Sequence, residues 1–215
     1  MTDAHYHRGG FDTFLVLGGE ERRFFGVHPW QADDSPPDVA VLRAALESDP
    51  LAGVGEIGLD RLRSRETSAA QREAFAVQLA LAAEMRRPVV LHGAKCWGEV
   101  VKACRPFAGI IPAFLFHGFS RSTGLLPEMF AMNGFVSVGP TLLNDHAVNY
   151  RTMAAALPLE RVLVETDSEW DAPTAHEAQL DAVAARLAEL RGMAVADLAA
   201  ALELNLARFV HSPQP

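Results

Sequence analysis

Short apolar runs recur along this chain at intervals that leave room for a helix between most of them. Residues 52–59, 88–92, 113–117, 135–138 and 162–166 are largely apolar without clean alternation, as expected of strands covered on both faces. The intervening segments carry three- and four-residue spacing instead. The clearest is 68–85, where Ala74, Phe75, Gln78, Leu79, Leu81 and Ala82 share one face and Ser68 supplies a start signal. Further helices are expected over 37–48, 97–105, 124–133, 147–156, 174–191 and 195–210. In the last, Val195, Leu198, Leu202, Leu206 and Phe209 form a stripe for packing on a barrel. Repeated strand-helix alternation with right-handed crossovers indicates an α/β fold, a TIM-like parallel (β/α) barrel.

The first thirty residues break that alternation. Only residues 8–12 separate the strand expected over 3–7 from the run 13–17, and only 18–23 separate that run from 24–28. A parallel crossover needs about a dozen residues. The segment 13–27 is therefore read as a β-hairpin turning at Gly18-Gly19, where glycine supplies positive φ. The hairpin replaces a helical unit at the start of the barrel.

Composition narrows the class. With 215 residues and 49% hydrophobic content, a chain buries about 70% of its unfolded surface, so residues 1–215 are expected to form a single domain. Residues 1–10 lack the apolar core of a signal peptide, and no apolar run approaches the length of a membrane span. A soluble, cytoplasmic protein without membrane contact is expected. Cys96 and Cys104 belong to no C-x-x-C pair and, on one helix, lie beyond disulfide reach. The formal charge of −8 argues against a broad nucleic-acid surface, though not against a nucleic-acid end bound at metal ions.

The candidate chemistry sits at strand ends. His5 and His7 are two residues apart, which on a strand puts both imidazoles on one face, able to grip one ion. Glu56, His92, His117 and Asp167 end or follow other predicted strands, where catalytic groups of such barrels gather. A carboxylate such as Glu56 can bridge two ions through its two oxygens, and two ions together activate water and stabilise a leaving oxygen. Gly53-x-Gly55-x-x-Gly58 matches a dinucleotide fingerprint but falls inside an apolar strand, with Gln78 where an acid belongs.

Asp3-x-His5-x-His7, Gly26-Val27-His28-Pro29, Gly55-Glu56-Ile57-Gly58-Leu59-Asp60, the Gln71…Phe75…Gln78 helix, Pro88-x-x-x-His92, His117-Gly118-Phe119-Ser120 and Glu165-Thr166-Asp167 together resemble the TatD family of metal-dependent hydrolases within the amidohydrolase superfamily. The resemblance implies two divalent metal ions. His5, His7, Glu56 and Asp167 would hold one, and Glu56, His92 and His117 the second. It further implies that Asp167 positions or deprotonates the attacking water, that His28 lies near the substrate, and that the activity is that of a deoxyribonuclease on 3′ ends. By donor type the ions suit Zn, Mn, Fe or Ni, while Mg prefers more oxygen.

The chain departs from the family pattern at Arg8, at Ala94 and at Glu169, as a compact branch would. Lys95, just after Ala94, is the expected phosphate contact, a point charge in place of arginine's fork. Three readings follow: a phosphodiesterase acting on nucleic-acid ends or a small phosphodiester, an ester, lactone or amide hydrolase built on the same site, and a non-catalytic metal-binding module.

Overall fold

The computed structural model describes residues 2–63, 65–120, 123–168 and 173–211, and Glu169 lies outside them. Eight strands form one sheet in chain order, β1 (Asp3–His7), β2 (Thr13–Leu17), β3 (Glu20–Phe25), β4 (Gly53–Asp60), β5 (Val89–Ala94), β6 (Phe114–Phe116), β7 (Gly134–Val138) and β8 (Val162–Val164). From β3 onward every pairing is parallel, whereas β2 runs antiparallel to both β1 and β3. Two reversals cancel, so β1 points the same way as β3 to β8. The amide of Asp167 donates to the His5 carbonyl at 3.1 Å and that of His7 to the Ser168 carbonyl at 2.9 Å, which brings the first strand against the last.

The hairpin expected at the start of the barrel is present. Leu17 pairs with Glu20 across Gly18 and Gly19, at φ 59° and 80°, the left-handed pair that a two-residue hairpin turn needs. A reversed strand thus occupies the place of the first helix.

Helices α1 (Val39–Ser48), α2 (Ala69–Glu84), α3 (Trp97–Cys104), α4 (Leu126–Ala131), α5 (Val148–Ala156), α6 (Pro173–Arg191) and α7 (Val195–Val210) follow the strands from β3 on. Asp38 and Ser68 cap α1 and α2 by accepting from amides in their first turns. α4 is shorter than its apolar spacing suggests, because Thr123–Leu125 takes up a 3₁₀ turn before it. Among the described residues no helix is long and apolar enough to cross a membrane.

Burial sorts each strand into two faces. Val89 and Leu91, Phe114 and Phe116, and Val162 and Val164 belong to the large apolar cluster shared with the helices. Val90, Leu115, Phe135 and Leu163 form a second cluster with Leu206 and Phe209 of α7, filling the barrel and plugging its base. Two residues further along the same faces stand His92, His117, Ser137 and Glu165. The period of two therefore sets a polar layer directly above the apolar plug, at the C-terminal ends of the strands.

Helix α2 fixes two strand ends through buried polar groups. Gln71 accepts from the Asp60 amide at 3.0 Å, and Gln78 accepts from the Val27 amide at 2.7 Å while donating to the Val27 carbonyl at 3.2 Å. Gly58, at φ +150°, lets β4 close on β5, since a Cβ there would lie 2.0 Å from the His92 carbonyl oxygen. That approach brings Glu56 and His92 into one layer.

Candidate metal centre

Glu56 is the centre of the polar layer and is almost fully buried. Its Oε2 lies 3.4 Å from His5 Nε2 and 3.6 Å from His7 Nε2. The same two nitrogens stand 3.5 and 3.6 Å from Asp167 Oδ1. On the other side, His92 Nδ1 and His117 Nε2 donate to Glu56 Oε1 at 2.5 and 2.6 Å, and His28 Nε2 lies 3.6 Å from it. One carboxylate thus divides two nests of imidazoles, one per oxygen. Among the described residues three groups of side chains could hold an ion, His5/His7/Glu56, His28/Glu56/His92 and, spanning the two nests, His5/His117/Asp167.

The first nest fits an ion. Ligands held tetrahedrally at about 2.0–2.1 Å stand roughly 3.3 Å apart, close to the spacings between His5, His7, Glu56 and Asp167. Those spacings are too long for hydrogen bonds. Among the described residues neither ring nitrogen of His5, a fully buried side chain, has a hydrogen-bond partner, and neither does Nδ1 of His7. Buried polar atoms are seldom left so. The second nest is tighter, with protons between Glu56 and the two histidines, and a cation there would take the place of those protons.

Supporting groups orient these side chains. Asp60, buried at the end of β4, accepts from His92 Nε2 at 2.8 Å and from the Leu62 amide at 2.6 Å. This fixes the ring so that Nδ1 faces Glu56. Glu165 accepts from the Gly118 amide at 2.8 Å and from the Ser137 hydroxyl, with one oxygen 3.8 Å from His117 Nδ1. Asp3 accepts from the Thr166 hydroxyl at 2.7 Å, with His176 Nε2 2.7 Å away, holding β1 beside the end of β8. Thr13 of the reversed strand accepts from the Glu56 amide at 3.2 Å.

Proton affinities reflect the shared charge. Burial pushes Glu56 upward, but the His117 and His92 imidazoles outweigh it and hold the carboxyl well below its usual range. Burial likewise depresses His5, yet contacts with Asp167 and Glu56 raise it to about 9. His117 is held well above its ordinary value and His92 is raised, in both cases by Glu56 against the effect of burial. Asp167, at φ +50° and with its side chain 46% exposed, is held low by His5 and His7 against its own desolvation. Asp60 is lowered to about 2, the His92 and Leu62 contacts outweighing burial.

The two substrate residues expected from the sequence differ in exposure. His28, just before Pro29, faces inward rather than toward solvent. Its ring is buried, 4.7 Å from that of His92, and its Nδ1 accepts from the Trp30 amide at 3.1 Å. Burial lowers its pKa against the pull of Glu56. Lys95 stands exposed after β5 at φ +59°, with no ion pair among the described residues. Asp60, Glu165, Asp3 and His176 carry no role in the sequence reading. A carboxylate two residues before a predicted ligand, as Glu165 is to Asp167 and Asp3 to His5, was the available signal for two of them. A cavity of about 630 Å³ at the opposite end of the barrel, lined by Phe135, Arg161, Leu204 and Arg208, contains none of these residues.

Comparison with known proteins agrees with the geometry. The family profile described as TatD related DNase matches residues 19–211. That span begins after β1 and so does not include His5 and His7. The uncharacterized metal-dependent hydrolase YcfH of Escherichia coli K12 is 30% identical over 192 residues, covering 86% of this chain and 72% of the relative. The 3′-5′ ssDNA/RNA exonuclease TatD of Klebsiella pneumoniae is 32% identical over 150 residues, 69% of this chain and 57% of that one. The crystal structure of YJJV, a TatD homolog from Escherichia coli K12, superposes with a TM-score of 0.73 at 28% identity, over 87% of this chain and 75% of that one. A hydrolase TatD family protein from Entamoeba histolytica shares the fold at a TM-score of 0.72 and 15% identity, over 86% and 73%. The barrel, the strand-end histidine and carboxylate cluster and the matched sequence together establish that this chain belongs to the TatD family of metal-dependent hydrolases.

Proposed function

We propose that residues 1–215 act as one hydrolase domain that cleaves phosphodiesters at nucleic-acid ends with two divalent ions. The observation that carries this reading is the division of the centre by Glu56, with His5, His7 and Asp167 about one oxygen and His92 and His117 about the other. When bound, such ions supply Lewis-acid polarisation of the phosphodiester and make an attacking water more acidic. His5, His7, Asp167 and Glu56 would hold the first, and Glu56, His92 and His117 the second. The donor set suits Zn, Mn, Fe or Ni.

The chain's own groups complete the reaction. Asp167 is the partly exposed carboxylate of the cluster. It stays ionised, orients water toward phosphorus and receives a proton from that water as the new oxygen–phosphorus bond forms, while the bond to the sugar oxygen breaks and that leaving oxygen takes up a proton from solvent. His28 accepts at Nδ1 from the Trp30 amide, so the neutral ring carries its proton on Nε2 and presents a donor to a phosphate oxygen. The relatives named as exonucleases support a nucleic-acid substrate. Metal-loaded protein, offered single-stranded DNA and RNA with defined 3′ ends beside neutral esters and lactones, is expected to release mononucleotides from the 3′ end. Faster turnover of any neutral ester than of every phosphodiester would replace this reading with an esterase or lactonase on the same centre.

A further inference from the structure

Beside the centre lies an aromatic cluster that the hydrolytic chemistry does not require. Phe11, from the short β1–β2 turn, stacks on His28 with ring centroids 4.9 Å apart and planes 16° from parallel. Trp30 stands perpendicular to both, 6.2 Å from Phe11 and 5.1 Å from His28, and 6.4 Å from His92. Phe11 and Trp30 are each only half-buried. The guanidinium of Arg63 lies over the indole, 3.9 Å from its centroid.

Among the described residues Arg63, like Arg65 and Lys95, forms no ion pair. Arg61 is engaged by Glu99 and Arg8 by Glu21, while the exposed Arg63 has no carboxylate partner among the described residues. A chain of net charge −8 therefore keeps an uncompensated guanidinium stacked on a half-exposed indole at the mouth of its metal centre. Guanidinium groups pair bidentately with phosphate, and aromatic faces receive unpaired bases.

We infer that Phe11, Trp30 and Arg63 form the subsite for the terminal nucleotide: the two rings receive its unpaired base and Arg63 grips a backbone phosphate of the same strand. The inference rests on the phosphodiesterase reading above and adds to it the residues that would hold the terminal base and its neighbouring phosphate. A base within a duplex has its faces stacked and its edge paired, so the platform admits an end only when it is frayed or single-stranded.

The test uses the divalent-metal-loaded protein and a 5′-fluorescein decathymidylate with phosphorothioate linkages, intact or abasic at its 3′ terminus. Anisotropy is expected to show the intact strand bound about 5- to 150-fold more tightly than the abasic one, the range of one base–aromatic stack. Tryptophan emission should be quenched only by the intact strand. Trp30→Leu should abolish both differences. Arg63→Gln, at an exposed position, should lower the slope of log affinity against log salt by about 0.7, one single-strand phosphate contact. Equal binding of intact and abasic strands, or an unchanged salt slope in Arg63→Gln, overturns the inference and leaves the phosphodiesterase reading standing. Failure of either strand to bind at all, with neutral esters hydrolysed, overturns both.

Discussion

Replacing Asp60 by asparagine changes one atom beside His92, and the structure says what that must cost. Asp60 uses both oxygens as acceptors, one for His92 Nε2 at 2.8 Å and one for the Leu62 amide at 2.6 Å. An asparagine has one acceptor and one donor, so one contact becomes donor against donor whichever way the amide turns. If the His92 contact is lost, the ring is no longer fixed with Nδ1 toward Glu56. If the Leu62 contact is lost, the loop after β4 moves and the ring still lacks a charged partner. A hydrogen bond to a charged group contributes about 1.5–3 kcal/mol, which corresponds to roughly 10- to 150-fold in an equilibrium constant. Loss of an outer hydrogen bond to a metal-ligating histidine typically costs about 10- to 100-fold in metal affinity. Asp60→Asn should therefore weaken the second metal site by about 10- to 100-fold and leave the first, at His5 and His7, close to its native affinity. Competition titration against a chromophoric chelator resolves the two sites. In a double-mutant cycle with His92→Ala, the Asp60 effect on metal affinity should vanish. Equal weakening of both sites, or full additivity with His92→Ala, would refute the proposed coupling.

Other perturbations follow from the same geometry. Glu56→Gln keeps the shape but removes the charge shared by both nests, and turnover should fall about 100-fold or more with loss of bound metal; near-normal turnover without metal would contradict the bridging role. In metal-free protein, His5 is raised from 6.5 to about 9. Its contribution to stability is full below about pH 6.5 and is lost as pH rises through 9, whereas metal affinity should rise over that window as protons leave. Opposite slopes for apo melting temperature and metal affinity between pH 6.5 and 9 are the expected signature. Gly58→Ala places a methyl 2.0 Å from the His92 carbonyl oxygen at φ +150°, and should cost at least about 2 kcal/mol in urea unfolding while loosening the second metal site; a variant with native stability would show that β4 and β5 can separate freely there.

Much of this was written in the sequence, and the parts that were not have identifiable causes. The ligands were legible because barrel strands deliver inward side chains at their ends, and chemistry-bearing residues there stand out against apolar runs. The N-terminal hairpin was legible because five residues cannot hold a parallel crossover. Helix α7 was legible to its last residue because Leu198, Leu202, Leu206 and Phe209 form its buried stripe, although Val195 is exposed and the polar Asn205 shares that face. Strict alternation along β4, in contrast, sends Glu56 to the same face as Val54, which packs toward the helices. A register shift between Val54 and Ile57 turns it inward, and no local signal in the apolar run announces such a shift. Asp60 and Glu165 were quoted within motifs but could not be assigned partners, because their partners come from other strands. The Phe11, His28, Trp30 and Arg63 cluster joins three loops, and distances between loops are not encoded in periodicity.

Anomalous diffraction from crystals grown with zinc or manganese tests the central claim most directly. The account predicts two peaks flanking Glu56, one among His5, His7 and Asp167 and the other beside His92 and His117, with a separate carboxylate oxygen directed at each. A single peak, or peaks that do not contact Glu56, would contradict it.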